Sequence, residues 1–178
     1  IKLAARRIVF GKFLNCGQTC VAPDYIYCHS SIKKSLIKNI ILEINRQFGK
    51  KPLSNTNYGK IINQRHYERI TNLINYNKVV FGGHCEPETH RIEPTVLDNV
   101  NWHDAVMNEE IFGPLLPILS FEEPEQVIHT INEHPTPLAM YVFGKTSVAK
   151  KFLSSCQFGG GCINDTIIHL ATSHMGFG

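Results

Sequence analysis

The apolar positions of this chain fall into short blocks that switch between helical and strand spacing. Residues 2–14 carry Leu3, Ile8, Phe10, Phe13 and Leu14, interrupted by Arg6, Arg7 and Lys12. They predict a mostly buried helix that Gly17 ends. "YIYCH" at 25–29 alternates and predicts a strand. Ser31 is placed to cap a helix on which Ile32, Leu36, Ile40, Ile44 and Phe48 recur every fourth residue, with Gly49 just past its end. Residues 60–76 carry Ile62, Ile70, Leu73 and Ile74 at helical spacing.

The second half reads as shorter pieces. "KVVFGG" is a strand closed by glycines, and 91–100 is extended, with Pro94 marking an edge or irregular strand. "LLPILSF" at 115–121 is a strand, and Pro124 opens a short helix with Val127, Ile128 and Ile131 inward. A strand at 138–143, a helix at 147–156 and a last strand at about 162–170 complete the chain. Strands that mostly alternate with helices predict an α/β fold, a largely parallel sheet with helices on both faces. No repeat, linker or low-complexity segment divides it, so residues 1–178 form one domain.

Composition alters little. With 178 residues and 43% apolar content the chain is long enough for a proper core. No apolar run approaches the ~20 residues of a membrane span, and "IKLAARRIVFGKF" does not read as a secretory leader. The net charge of +3 is mild, and Lys33, Lys34 and Lys38 read as a solvated helix face, not a nucleic-acid surface. Six cysteines without a secretion signal suggest free thiols in a cytoplasmic protein.

The candidate chemistry lies in "NCGQTC" at 15–20. A metal knuckle would need a second close ligand pair. Cys28 and His29, the nearest downstream residues of the right type, sit on a predicted strand and point to opposite faces. A redox pair fits poorly, because the spacing is C-x3-C and not C-x2-C. A lone nucleophile at Cys20 is the third reading. Main-chain N–H groups of the Gly-Gln-Thr turn would favour a thiolate and hold an oxyanion. Against it stands the commoner fate of cysteine, a small buried core residue.

Taken whole, "GKFLNCGQTCVAPDY" (11–25) resembles the cysteine motif of the aldehyde dehydrogenase superfamily, F-x-N-x-G-Q-x-C. "VAPDY" resembles its class 3 branch, which takes fatty and aromatic aldehydes. "NEEIFGPLLPI" (108–118) is similar to the E-E-x-F-G-P segment, with Glu110 ninety positions after Cys20. "GGGCINDTIIHLATSHMGFG" resembles the Asn-containing strand and the start of the F-G-G loop. The resemblance covers essentially the whole chain. It implies the three-layer αβα catalytic domain of that superfamily and oxidation of an aldehyde to a carboxylic acid. In that chemistry Cys20 is the nucleophile, and a thiohemiacetal and then a thioester form on it. NAD or NADP is the implied cofactor, with Glu110 on the nicotinamide ribose hydroxyls and Phe112 beside the nicotinamide. Glu109 would be structural, Asn15 would brace the turn, and Asn164 would line or support the site. No metal is implied. A small-molecule aldehyde is the implied substrate, and a homodimer the implied assembly.

The resemblance also says what to expect elsewhere. The family's general-base glutamate, its oxyanion asparagine and its glycine-rich cofactor domain lie upstream of the cysteine, and its oligomerisation tail lies downstream. Residues 1–178 are therefore expected to be the cysteine-bearing domain of a larger enzyme, inactive as a dehydrogenase alone. Met175 and Gly176 stand where the branch has Leu-Pro. Two alternatives stay open: a relative that passes the acyl group to coenzyme A or phosphate, and a non-catalytic interaction domain of the same fold. His169, on the last strand, reads as a core or interface histidine. Trp102 and His103 carry no functional reading.

Overall fold

The computed structural model describes residues 1–174. In chain order its elements are α1 (Lys2–Phe13), β1 (Ile26–His29), α2 (Ser30–Phe48), α3 (Gln64–Asn72), β2 (Val79–Phe81), β3 (Cys85–Glu86), β4 (Arg91–Ile92), β5 (Thr95–Leu97), β6 (Leu115–Phe121), α4 (Pro124–Glu133), β7 (Ala139–Val142), α5 (Thr146–Ser155) and β8 (Gly160–Ile163). The central sheet has the order β1-β6-β5-β2. Its β1/β6 and β5/β6 pairs are parallel, and β2 joins β5 antiparallel. β7 and β8 form a separate parallel pair, and β3 and β4 a small antiparallel one. The α/β class and the mostly parallel pairing are as the sequence predicts.

Pro117 stands in β6, which has a strand on each side, a place where a missing N–H is normally costly. The register explains its tolerance. Pairing with β5 ends at Leu97↔Pro117, and pairing with β1 begins at Ile26↔Ile118. Pro117 sits at the handover between the two ladders.

Period two along β6 sorts the core. Leu116 and Ile118 face α1 and α2, packing with Ala5, Ile8, Val9, Leu36, Ile40 and Ile44. Leu115 and Leu119 face the other way, toward Ile70 of α3 and a set of turn residues including Tyr58, Ile61 and Ile111. A third cluster, with Val127, Met140, Val142 and Phe152, joins α4 and α5 to β7.

Four boundaries differ from expectation. α1 buries one face only: Leu3, Phe10 and Leu14 are exposed, while Lys12 is fully buried. α2 begins two residues early and is capped by His29, not Ser31; the His29 Nδ1 accepts from the Ser31 N–H at 3.2 Å. The helix expected over 60–76 is only α3: Asn63, extended, caps it through Oδ1 on the His66 N–H, leaving Ile62 outside and exposed. The last strand is β8, which stops where Asn164 turns left-handed at φ 56°. His169 consequently lies in a 3-10 turn, Ile168–Ala171, and not on a strand. Met175 and Gly176 lie outside the described residues.

Candidate active site

The segment after α1 is a tight 3-10 turn, Leu14–Gly17, in which Asn15 and Cys16 both adopt positive φ (51° and 55°). Asn15 tolerates that region better than most residues, and its Nδ2 donates to the Gln18 carbonyl at 3.1 Å. Gln18 is tied on three sides. Its Nε2 donates to the carbonyls of Asn15 (3.1 Å) and Lys60 (3.0 Å), and its Oε1 accepts from the Ile62 N–H at 3.0 Å. The expected brace at Asn15 is present, and Gln18 anchors the turn to a segment more than forty residues away.

The two cysteines of the stretch part company. Cys16 is buried, its thiol close to Gly59, and burial pushes that thiol up to about 11. Cys20 is exposed. It occupies a turn closed by the Ala22 N–H on the Thr19 carbonyl at 2.9 Å, a bond that does not involve the Cys20 amide.

The second segment approaches from the chain before β6. Phe112 has φ +45°, a left-handed conformation rare for an aromatic residue, and is 39% exposed. Gly113, next to it, meets the cysteine turn directly. A Cβ on Gly17, itself at φ +75°, would run into the Gly113 carbonyl. A Cβ on Gly113 would come within 2.7 Å of the Ile70 side chain.

Cys20, Glu110 and Phe112 thereby line one cleft of about 350 Å³, with Gly17, Thr19, Ala22, Asp24, Tyr25, Pro137 and Leu138. Glu110 is exposed. Partial desolvation, with Asp24 nearby, pushes its carboxyl above the usual range, and Arg69 and Lys12 pull the other way. Glu109 points elsewhere, to an ion pair with Arg69 at 3.2 Å. Lys12 is fully buried beside Asp24, and its burial lowers its ammonium to about 8 despite the Asp24 carboxylate at 4.0 Å.

An exposed carboxylate and an exposed aromatic residue lining one cleft suit a sugar diol and the flat ring of a dinucleotide. The carboxylate accepts from both hydroxyls, and the ring offers apolar contact. Among the described residues, no group of three His, Cys, Asp or Glu side chains could hold a metal ion, and no helix is long and apolar enough to cross a membrane.

Asn164 stands apart from this cleft. Its Oδ1 accepts from the Gly144 N–H (2.9 Å) and its Nδ2 donates to the Gly144 carbonyl (3.1 Å), clasping the end of β7 to the end of β8. The structure adds Asp24, Arg69 and Lys12 to the surroundings of the site. Lys12 carried a readable signal, a charge set between Phe10 and Phe13. Asp24 stood within the quoted "VAPDY", and Arg69 gave no local signal. Trp102, unassigned from sequence, donates from Nε1 to the Tyr27 hydroxyl at 2.6 Å and stacks on His134 at 3.8 Å.

Comparison with known proteins identifies the family. A family model described as the aldehyde dehydrogenase family matches residues 1–178. A 4,4'-diaponeurosporen-aldehyde dehydrogenase of Staphylococcus aureus is 45% identical, over 100% of this chain and 39% of its own length. The aldehyde dehydrogenase family 3 member A2 of Mus musculus is 38% identical, over 100% of this chain and 37% of its own length. A solved structure described as the substrate-bound state of Staphylococcus aureus AldH superposes with a TM-score of 0.97 at 43% identity, covering 99% of this chain and 39% of that one. The chain thus spans a little under two fifths of these relatives.

Proposed function

The chain belongs to the aldehyde dehydrogenase family, and from that premise we propose that it oxidises an aldehyde to a carboxylic acid, with Cys20 as nucleophile, as the cysteine-bearing domain of a longer cytoplasmic enzyme. The observation that carries the reading is the convergence of Cys20, Glu110 and Phe112 on one cleft from segments ninety residues apart. Cys20 Sγ adds to the aldehyde carbonyl and makes a thiohemiacetal, splitting a difficult oxidation into two easier steps. The main-chain N–H of Cys20 would hold the resulting oxyanion. Loss of hydride from that carbon leaves a thioester, and water releases the acid and restores the thiol. Bound NAD or NADP supplies the hydride acceptor. Glu110 would hold its ribose hydroxyls and Phe112 would pack against its nicotinamide. The cofactor domain, the general base and the homodimer contacts would come from the rest of the enzyme. Six free thiols suit a reducing compartment.

The test is acid-quench mass spectrometry on the longer enzyme mixed with aldehyde and NAD(P)+. The acyl group is expected on the peptide containing Cys20. Cys20→Ala is expected to lower kcat by roughly 10³-fold or more without changing the unfolding midpoint, since Cys20 is exposed. An adduct on another cysteine, or near-normal turnover by Cys20→Ala, would overturn the assignment.

A further inference from the structure

Between the cysteine turn and the segment before β6 lies a link that neither the thiol nor the carboxylate chemistry requires. Asp24 is four residues after Cys20, and its Oδ1 accepts from the Ile111 N–H at 3.1 Å. Ile111 is the buried residue between Glu110 and Phe112. From α3, Arg69 donates to the carbonyls of Glu110 (3.3 Å) and Ile111 (2.6 Å). The main chain of this segment is therefore gripped on its N–H side by one element and on its carbonyl side by another. Phe112, the next residue, keeps a left-handed backbone. Such a conformation persists only where its surroundings hold it.

We propose that Asp24, opposed by Arg69, is a positioning residue that holds Glu110 and Phe112 at the height over Cys20 that dinucleotide binding requires. This rests on the reading of Glu110 and Phe112 given above. Asp24 acts through the main chain of Ile111 and touches neither the aldehyde nor the reacting carbon. An acidic side chain suits the task because a charged acceptor makes the stronger bond to an N–H. Lys12, buried, lies 4.0 Å from the same Oδ1.

The experiment separates the hydrogen bond from the charge. It uses the full-length enzyme in a Lys12→Met background, so that no buried ammonium is left alone when Asp24 changes. Affinity for NAD+ and NADP+ is measured by equilibrium dialysis, and Cys20 reactivity by iodoacetamide alkylation without cofactor. Relative to Lys12→Met alone, Asp24→Asn keeps the acceptor and is expected to bind the dinucleotide within about two-fold. Asp24→Ala is expected to weaken binding about ten-fold while alkylation changes less than about two-fold. Arg69→Ala, which releases the carbonyl side, is expected to give the same split, and decides the matter if Asp24→Ala does not fold.

Equal affinity of Asp24→Asn and Asp24→Ala would overturn the proposal. So would a loss in which alkylation falls in step with binding, the mark of general disruption. Glu110→Gln, run in parallel, tells the two readings apart. If it weakens binding while Asp24→Ala and Arg69→Ala do not, the clamp is wrong and the site reading stands. If it binds normally while those two weaken, the role given to Glu110 is wrong and the clamp on the segment is supported.

Discussion

The two faces of β6 are built by different rules. On one, Leu116 and Ile118 meet α1 and α2, regular helices whose apolar residues recur at helical spacing. On the other, Leu115 and Leu119 meet 3-10 turns, loop residues and the short α3. Both faces are equally buried, yet the cleft with Cys20, Glu110 and Phe112 adjoins the second. There the non-glycine residues Asn15, Cys16 and Phe112 hold positive φ, and Gln18, Asp24 and Arg69 tie distant segments together by side-chain-to-backbone bonds. Helices pack a sheet with little specification beyond apolar residues of suitable size. A site needs main chain in sparsely populated conformations, which many separate bonds must hold.

The contrast breaks hardest at Gly17. Gly17→Ala is expected to cost about 4 kcal/mol in urea unfolding, because its Cβ meets the Gly113 carbonyl and its φ is +75°. Dinucleotide affinity is expected to fall with it. If stability fell and affinity did not, the turn would be scaffold only. Leu116→Ala, on the helical face, is expected to cost about 3 kcal/mol and to leave Cys20 alkylation unchanged. A change in thiol reactivity there would mean that the two faces are not independent.

The smallest effect has the opposite sign. Holding an ammonium whose pKa falls from 10.5 to about 8 costs about 3 kcal/mol. That cost is already net of the attraction of Asp24, so Lys12→Met is expected to gain about 2 kcal/mol at pH 7 once the imperfect fit of the thioether in the lysine's place is allowed for. In the wild type the native state binds fewer protons at Lys12 than the unfolded chain between pH 8 and 10.5. Wild-type stability should therefore rise through that window, and the advantage of Lys12→Met should shrink. A difference independent of pH would mean that the cost lies in packing and not in charge.

The helical face was largely legible from the sequence. α2 announces itself by its four-residue recurrence and Gly49, and β6 runs over the residues its apolar run predicts. α3 was not legible at its ends, because Ile62, Leu73 and Ile74 continue a helical spacing that Asn63 and the following turn do not permit. Local pattern carries no information about where a neighbouring main chain lies. For the same reason Lys12 read as an interruption of α1 when it is wholly enclosed. The three candidate site residues were named through the family motifs, and their convergence on one cleft needed the fold. Asp24 and Arg69 were beyond reach, since each acts on main chain more than forty residues away.

The meeting of Gly17 with Gly113 has a further consequence. Two bare stretches of main chain in contact work as a stop: Gly17 and Gly113 set how closely the cysteine turn and the segment that carries Glu110 can approach, and the Asp24 and Arg69 bonds hold the segment against it. The walls of the cleft at Pro137 and Leu138, contributed by the chain ahead of β7, are free of that constraint. Remodelling of the cleft can begin there without disturbing the separation of the thiol and the carboxylate.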